Sequence, residues 1–331
     1  RSAPLTPNEI KLLRSIRFDH YRIDLHLYEN GWQFMAEEFC NELPDLGYRT
    51  EIALFFNGNI HQQINNFLDY YSRCQVKPAN ILLFDRSCPS TPDELAAEVI
   101  PLLRKVSPEV KITTGTNANF AELNRNRPGD TGNDCICFAI HPQEHSSDNL
   151  TLVENLQAQH YAVTSAQTFA GNKKILISPV NIQRRFNANT SFVELPWSGS
   201  GMPPQTDSRM MSLFGACWTA GSLKYLCQAG ADSITYFETA GERGIIQGDC
   251  DPRWPSEFPS EKGMIFPVFH VFRFLMGYKQ LSLVRCTSSR PLIADSLALS
   301  DGKQGHMLLV NFTGDTQKIK LECCTGLVRL R

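Results

Sequence analysis

Two rhythms of apolar positions alternate along most of this chain. Short β-rich runs, such as Ile81-Leu82-Leu83-Phe84 and Ile234-Thr235-Tyr236-Phe237, are separated by stretches in which apolar residues return every three or four positions. The first helical stretch opens with Thr6-Pro7-Asn8-Glu9: a capping hydroxyl, a proline in the first turn and an acid close behind. Ile10, Leu12, Leu13 and Ile16 follow. The pattern predicts strands over 21–27, 51–56, 80–85, 110–114, 135–141, 174–180 and 233–238. It predicts helices over about 31–46, 60–74, 91–106, 150–161, 210–229 and 267–277, with an Asn/Arg-rich loop after 114 and a long loop after 180.

Strands alternating with helices over a segment of this size predict an α/β fold, a (β/α)8 TIM barrel rather than an open doubly wound sheet. A doubly wound sheet would carry a glycine fingerprint after its first strand, and no Gly-x-Gly-x-x-Gly occurs. The count is one strand short. Because the chain opens with a helix, the first barrel strand is expected before Arg1; the alternative is a first strand at 21 and a last one at 244–247. From about Leu281 the pattern changes to short alternating runs at 283–286, 307–312 and 318–321, divided by Ser300-Asp301-Gly302 and Thr313-Gly314-Asp315. The expected organisation is a barrel over 1–280 and a small, incomplete, β-sandwich-like domain over 281–331.

Composition narrows the function classes. The chain has 331 residues, 42% hydrophobic content and a formal charge of −2, so it can bury a large core. There is no basic stripe for nucleic acid and no apolar run of membrane-spanning length, which makes both unexpected as partners. Eleven cysteines are scattered without Cys-x-x-Cys pairs. Cys135 and Cys137 share one face of a strand, and the adjacent Cys323 and Cys324 are poorly spaced for a mutual disulfide, so a cytoplasmic location is expected. The Asn-x-Ser/Thr triplets at Asn149, Asn189 and Asn311 are read as chance. No cofactor is expected, and the oligomeric state is open.

In a barrel the residues to inspect end the strands on the C-terminal face. These are Asp24, His26, Asn57, Asp85, Arg86, Thr116, Asn117, Glu122, His141, Glu144, His145, Asn181, Glu238, Thr239 and Arg243. Glu238 stands out because it ends an apolar run, where burial is expected to raise a carboxyl pKa toward that of a useful base. His141-Pro142-Gln143-Glu144-His145 has the letters of an inverted zinc-protease motif, but Pro142 forbids the helix that motif requires. A metal held in a loop by His141, His145 and Asp148 is the minor alternative; no metal is the expectation. Trp197-Ser198-Gly199-Ser200-Gly201 lacks the first glycine of a nucleophile elbow. Of the cations, one among Arg184, Arg185 and Arg243 is expected to reach ligand. Trp197 and Trp254 are candidate sugar platforms, whereas Trp218 is expected in the core.

Several strings carry a family resemblance. Gly115-Thr116-Asn117 through Glu122-Leu123-Asn124-Arg125-Asn126-Arg127-Pro128, Ser178-Pro179-Val180 with Arg185-Phe186-Asn187, Ser212-Leu213-Phe214-Gly215-Ala216-Cys217-Trp218-Thr219 with Gly221-Ser222-Leu223-Lys224-Tyr225, and Thr235-Tyr236-Phe237-Glu238-Thr239 resemble bacterial D-apionate lactonases over most of the chain. The resemblance implies a TIM barrel flanked by β domains and hydrolysis of a small-molecule sugar lactone, D-apionolactone, to D-apionate. It implies no catalytic residues. The barrel is also distantly similar to retaining glycosidases, but Asp85-Arg86 and Pro179-Val180-Asn181 stand where their two glutamates would end strands. On strand-end geometry, Glu238 is expected as the base for water and His141 as acid or oxyanion donor. Asp24, Asp85, Asn117, Glu122, Arg185 and Arg243 are expected to bind substrate. The alternatives are a retaining glycosidase with Glu122 facing Glu238, or a barrel that binds carbohydrate without turning it over.

Overall fold

In the computed structural model, residues 4–74, 77–185 and 197–322 are described. Seven strands pair side by side in chain order, all parallel. They are β1 (His20–His26), β2 (Arg49–Phe56), β3 (Asn80–Asp85), β4 (Lys111–Gly115), β5 (Cys135–Ile140), β6 (Lys174–Val180) and β7 (Ser233–Tyr236). Helix α1 (Pro7–Ile16) precedes β1. After β1 to β7 come, respectively, α2 (Trp32–Leu46), α3 (Ile60–Tyr71), α4 (Asp93–Val106), α5 (Phe120–Arg125), α6 (Asn149–Ala170), α7 (Leu213–Ala229) and α8 (Pro267–Gly277). This is a nearly closed TIM barrel, as the alternation predicts.

Side-chain alternation along each strand builds two apolar layers. Ile52, Leu54 and Phe56 of β2 pack outward with Ile81 and Leu83 of β3 against Trp32, Phe67 and Leu95 of the helices. Their sequence neighbours Ala53, Phe55, Leu82 and Phe84 point inward, together with Cys135, Cys137 and Leu176. Helix α1 begins as its sequence predicts, with Thr6 and Glu9 forming a capping box.

The elements differ from expectation in four places. The Asn/Arg-rich segment contains α5, because Asn119 starts a short helix whose Leu123 is buried. Helix α6 continues beyond 161 to Ala170, since Val163, Ala166 and Ala170 keep its buried face. The helix expected from 210 begins at Leu213, where Ser212 caps it after a 3-10 turn at Ser208–Met211. The C-terminal sheet is built from β8 (Ser282–Val284), β9 (Ala294–Ser300) and β10 (Gly305–Asn311), and the run at 318–321 is not a strand. The turn between β9 and β10 explains this: the Asp301 carboxylate accepts from the Lys303 and Gln304 amides and folds 294–300 back on 305–311. Buried Lys224 of α7 pairs with Asp295 of β9, which also accepts from Tyr225 Oη at 3.0 Å. Asn189 and the Cys323-Cys324 pair lie outside the described residues.

β1 and β7 are the outer strands of the described sheet. The segment 244–247 forms only single bridges, from Ile246 to Ala240 and Ile265, and does not close the barrel. Instead, His20 Nε2 of β1 and Thr235 Oγ1 of β7 meet at 2.8 Å across the seam.

Gly115, at the end of β4, has φ +137°, and a Cβ there would collide with the Cys137 carbonyl oxygen. Gly115→Ala should therefore destabilise the fold by about 2–4 kcal/mol. A urea unfolding midpoint equal to that of the unaltered protein would contradict this close approach.

Candidate active site at the strand ends

A cavity of about 1580 Å³ opens where the strands end and runs along the seam between β1 and β7. Six of the eight residues chosen from the sequence line it: Asp24, Asp85, Asn117, Arg185, Glu238 and Arg243. Parallel strands all release their polar end residues on the same side, so side chains distant in sequence converge there.

Arg22 organises one side of this cavity, and the sequence reading missed it. It lies mid-strand on β1, two residues from Asp24 and thus on the same face. Its guanidinium is nearly enclosed (6% exposed), with Nε donating to Asp24 Oδ1 at 2.7 Å, Nη1 to Ser178 Oγ at 2.7 Å and Nη2 to Asn117 Oδ1 at 3.3 Å. The other Asp24 oxygen accepts from Arg185 Nη2 at 2.9 Å. Burial pushes the Asp24 carboxyl up, but the Arg22 and Arg185 guanidinia outweigh it and hold the group well below the usual carboxylate range. The missed signal was legible: His20, Arg22, Asp24 and His26 alternate with apolar residues along the strand, a polar face turned into the barrel.

On the opposite wall Glu238 pairs with Arg243 Nη2 at 2.9 Å and keeps about a third of its side chain open to the cavity, 31%. Here the expected upward pKa shift is overturned. Burial does push the carboxyl up, but the surrounding positive charge, with Arg243 and Arg185 in it, prevails and lowers it. Arg185 thus serves both acids. Asp85 spends Oδ1 on Ser87, accepting from its amide at 2.7 Å and its hydroxyl at 2.6 Å, while still facing the cavity.

His141 and Glu122 are not among the lining residues. Glu122 lies on α5, buried beside the Arg125 guanidinium at 3.3 Å, because the chain turns at Asn119 and carries the rest of the Asn/Arg-rich stretch away from the strand ends. The facing pair Glu122 and Glu238 is therefore not brought together in this cavity. His141 is buried off the cavity, with Nε2 3.7 Å from Glu144 and Nδ1 without a hydrogen-bond partner among the described residues. Burial, and then the Arg184 charge, push its pKa down to about 4, so the ring is neutral at physiological pH.

Trp218 is fully buried and donates Nε1 to the Leu152 carbonyl at 3.0 Å, as expected of a core residue. Trp197 and Trp254 form an edge-on pair with centroids 5.9 Å apart, outside the cavity lining. Asp148 caps α6 by accepting from the Thr151 amide at 3.0 Å. Among the described residues no group of three His, Cys, Asp or Glu could hold a metal ion, so the loop alternative of His141, His145 and Asp148 gains no support. No helix of the described residues is long and apolar enough to cross a membrane.

Residues 1–280 match the family model described as D-apionate lactonase, TIM barrel domain. Over 237 residues the chain is 25% identical to a D-apionate lactonase of Brucella anthropi, an alignment covering 71% of this chain and 36% of that protein. Thus the chain spans little more than a third of the relative's length. Among solved structures it is similar to AbfB, a family 51 alpha-L-arabinofuranosidase from Bifidobacterium longum, with a TM-score of 0.59, 9% identity and coverage of 93% of this chain and 76% of the other. A GH39 enzyme from Xanthomonas axonopodis pv. citri gives a TM-score of 0.54 at 11% identity, covering 94% and 69%. At such identities the likeness is one of fold.

Removing one of the two guanidinia on Asp24 should move its titration upward. In Arg185→Gln, carboxyl-carbon NMR of Asp24 should follow a pKa higher than in the unaltered protein; an unmoved titration would show that Arg185 does not hold this acid ionised.

Proposed function

This chain belongs to the D-apionate lactonase family, and we propose that it hydrolyses the ring ester of a sugar-acid lactone, with D-apionolactone to D-apionate as the conversion. The observation that carries this reading is the cluster at the strand ends. Two carboxylates, Asp24 and Glu238, share one cavity with the guanidinia of Arg22, Arg185 and Arg243.

Opening a lactone requires a water that loses a proton, donors for the carbonyl oxygen as it becomes anionic, and a proton for the departing ring oxygen. Glu238 supports the first: its carboxyl is ionised at neutral pH and faces the cavity. It takes a proton as the water oxygen bonds to the carbonyl carbon. Arg185 and Arg243 N–H groups meet the charge developing on the carbonyl oxygen. When the bond from carbonyl carbon to ring oxygen breaks, the Glu238 carboxylic acid returns its proton to the ring oxygen. The new carboxyl group then ionises, releasing one proton per turnover. Asp24, Asp85 and Asn117 accept from or donate to the sugar hydroxyls. His141, buried away from the cavity and neutral, takes no step. A carboxylate held below its usual range is a weak base, so rate acceleration in this site rests on placement and on preorganised positive charge.

Proton release in weakly buffered solution, with D-apionolactone, other pentonolactones and aryl glycosides as substrates, tests the reading. Fast acid release from apionolactone is expected; silence on lactones together with aglycone release would replace it with a glycosidase. Glu238→Gln should lower kcat by roughly 10²–10⁴-fold with its unfolding midpoint retained, and a folded, fully active variant would remove Glu238 from the mechanism. The depressed pKa also sets a pH profile. Because the carboxyl ionises below the ordinary value of about 4.3, kcat/KM should stay level on acidification and fall only below that pH. Arg243→Met, by raising this pKa, should shift the acid limb upward.

A further inference from the structure

The barrel interior contains a buried acid that the proposed reaction does not use. Glu51 lies on β2, 3% exposed, in register with Arg22 on β1 and Asn80 on β3. Its Oε2 accepts from Asn80 Nδ2 at 2.9 Å, and Asn80 accepts in turn from Thr113 Oγ1 at 2.7 Å. Its Oε1 accepts from Ser178 Oγ at 2.9 Å and from Thr235 Oγ1 at 3.4 Å. Beside these groups the interior is apolar, with Ala53, Leu82 and Cys137. A charge buried in such company costs stability unless its bonds are complete, and an apolar filling would avoid that cost.

What a carboxylate supplies here, and an amide does not, is two acceptor oxygens with no donor, one for Asn80 Nδ2 and one for Ser178 Oγ. The Ser178 hydroxyl has one proton. Two oxygens lie within its reach, Glu51 Oε1 at 2.9 Å and Thr235 Oγ1 at 3.0 Å; given to Glu51, it leaves the Ser178 oxygen as an acceptor for Arg22 Nη1 at 2.7 Å and for the Thr235 hydroxyl. Two further Arg22 donors, Nε and Nη2, then fall on Asp24 at 2.7 Å and Asn117 at 3.3 Å. Hydrogen bonds thus run from Glu51 through Ser178, with Thr235 bridging the two, to the guanidinium and on to two groups at the cavity wall.

We propose that Glu51 is a positioning residue for this site: by taking the Ser178 hydroxyl proton it locks Ser178 as the acceptor that orients Arg22, and through Arg22 it places Asp24 and Asn117. Its kinetic consequence rests on the hydrolytic reading above, whereas its structural consequence does not. Glu51 acts through Arg22 and touches no substrate.

The test compares Glu51→Gln, Ser178→Ala and the double variant by lactone kinetics and by nitrogen-15 NMR of the Arg22 Nε–H, with thermal unfolding as the control. Each single variant should raise KM and lower kcat/KM by about tenfold or more, as small misplacements of binding groups do, and should shift or broaden the Arg22 signal. The double variant should be no worse than the poorer single one, because both cut the same link. Multiplying losses, or unchanged kcat, KM and Arg22 signal in folded Glu51→Gln, would overturn the proposal. Should Glu51→Gln fail to fold, an unchanged Arg22 signal in Ser178→Ala overturns it equally. If the unaltered protein hydrolyses no lactone, the functional reading fails, and the Arg22 signal alone still decides the positioning role.

Discussion

The Arg22 guanidinium is the charge on which the arrangement at the barrel mouth depends. A guanidinium so nearly enclosed needs acceptors within the protein for its N–H groups. It finds them on three strands or strand ends: Asp24 of its own strand, Asn117 after β4 and Ser178 of β6. Those bonds tie the first, fourth and sixth strands together at one depth. They also decide the ionisation of Asp24, which burial alone would have pushed toward the neutral acid. A buried cation here therefore creates a stable anion in the cavity wall, and Arg185 extends the same balance toward Glu238.

Family membership and fold likeness are separate findings, and the second carries no chemistry of its own. The solved structures to which this chain is similar include an arabinofuranosidase and a GH39 enzyme, and the likeness, at 9% and 11% identity, is of fold. In the observed strand order Thr116-Asn117 follow β4 and Phe237-Glu238 follow β7, so a single glutamate stands at these two strand ends. The cavity holds carboxylates and guanidinia side by side, Asp24 and Glu238 with Arg22, Arg185 and Arg243. The scaffold keeps the place for chemistry while its rim sets which chemistry is within reach.

Beyond the barrel, the small sheet is joined to the scaffold by a buried charge pair. Lys224 of α7 and Asp295 of β9 form a buried ion pair, and Phe312 packs close to Gly221 on the same helix. The helix that follows β6 thus faces the barrel on one side and the sheet on the other, which explains why it is apolar nearly all round.

The amino-acid sequence by itself determined the order of the seven strands and of every barrel helix except α5, because local rhythm, caps and turns act over a few residues. It also determined that polar residues gather at strand ends, and six of those chosen do line one cavity. It did not determine which ends converge. His141 follows β5 directly and Glu122 belongs to the same loop as Asn117, yet the turn at Asn119 carries Glu122 onto a helix, and His141 lies off the cavity. Nor could it set the charge state of Glu238, because a carboxyl pKa reports the balance between burial and cations that arrive from elsewhere in the chain, Arg243 and Arg185 among them. Local periodicity fixes elements, whereas distances between residues far apart in sequence, and the electrostatics that follow from those distances, exist only once the barrel has formed.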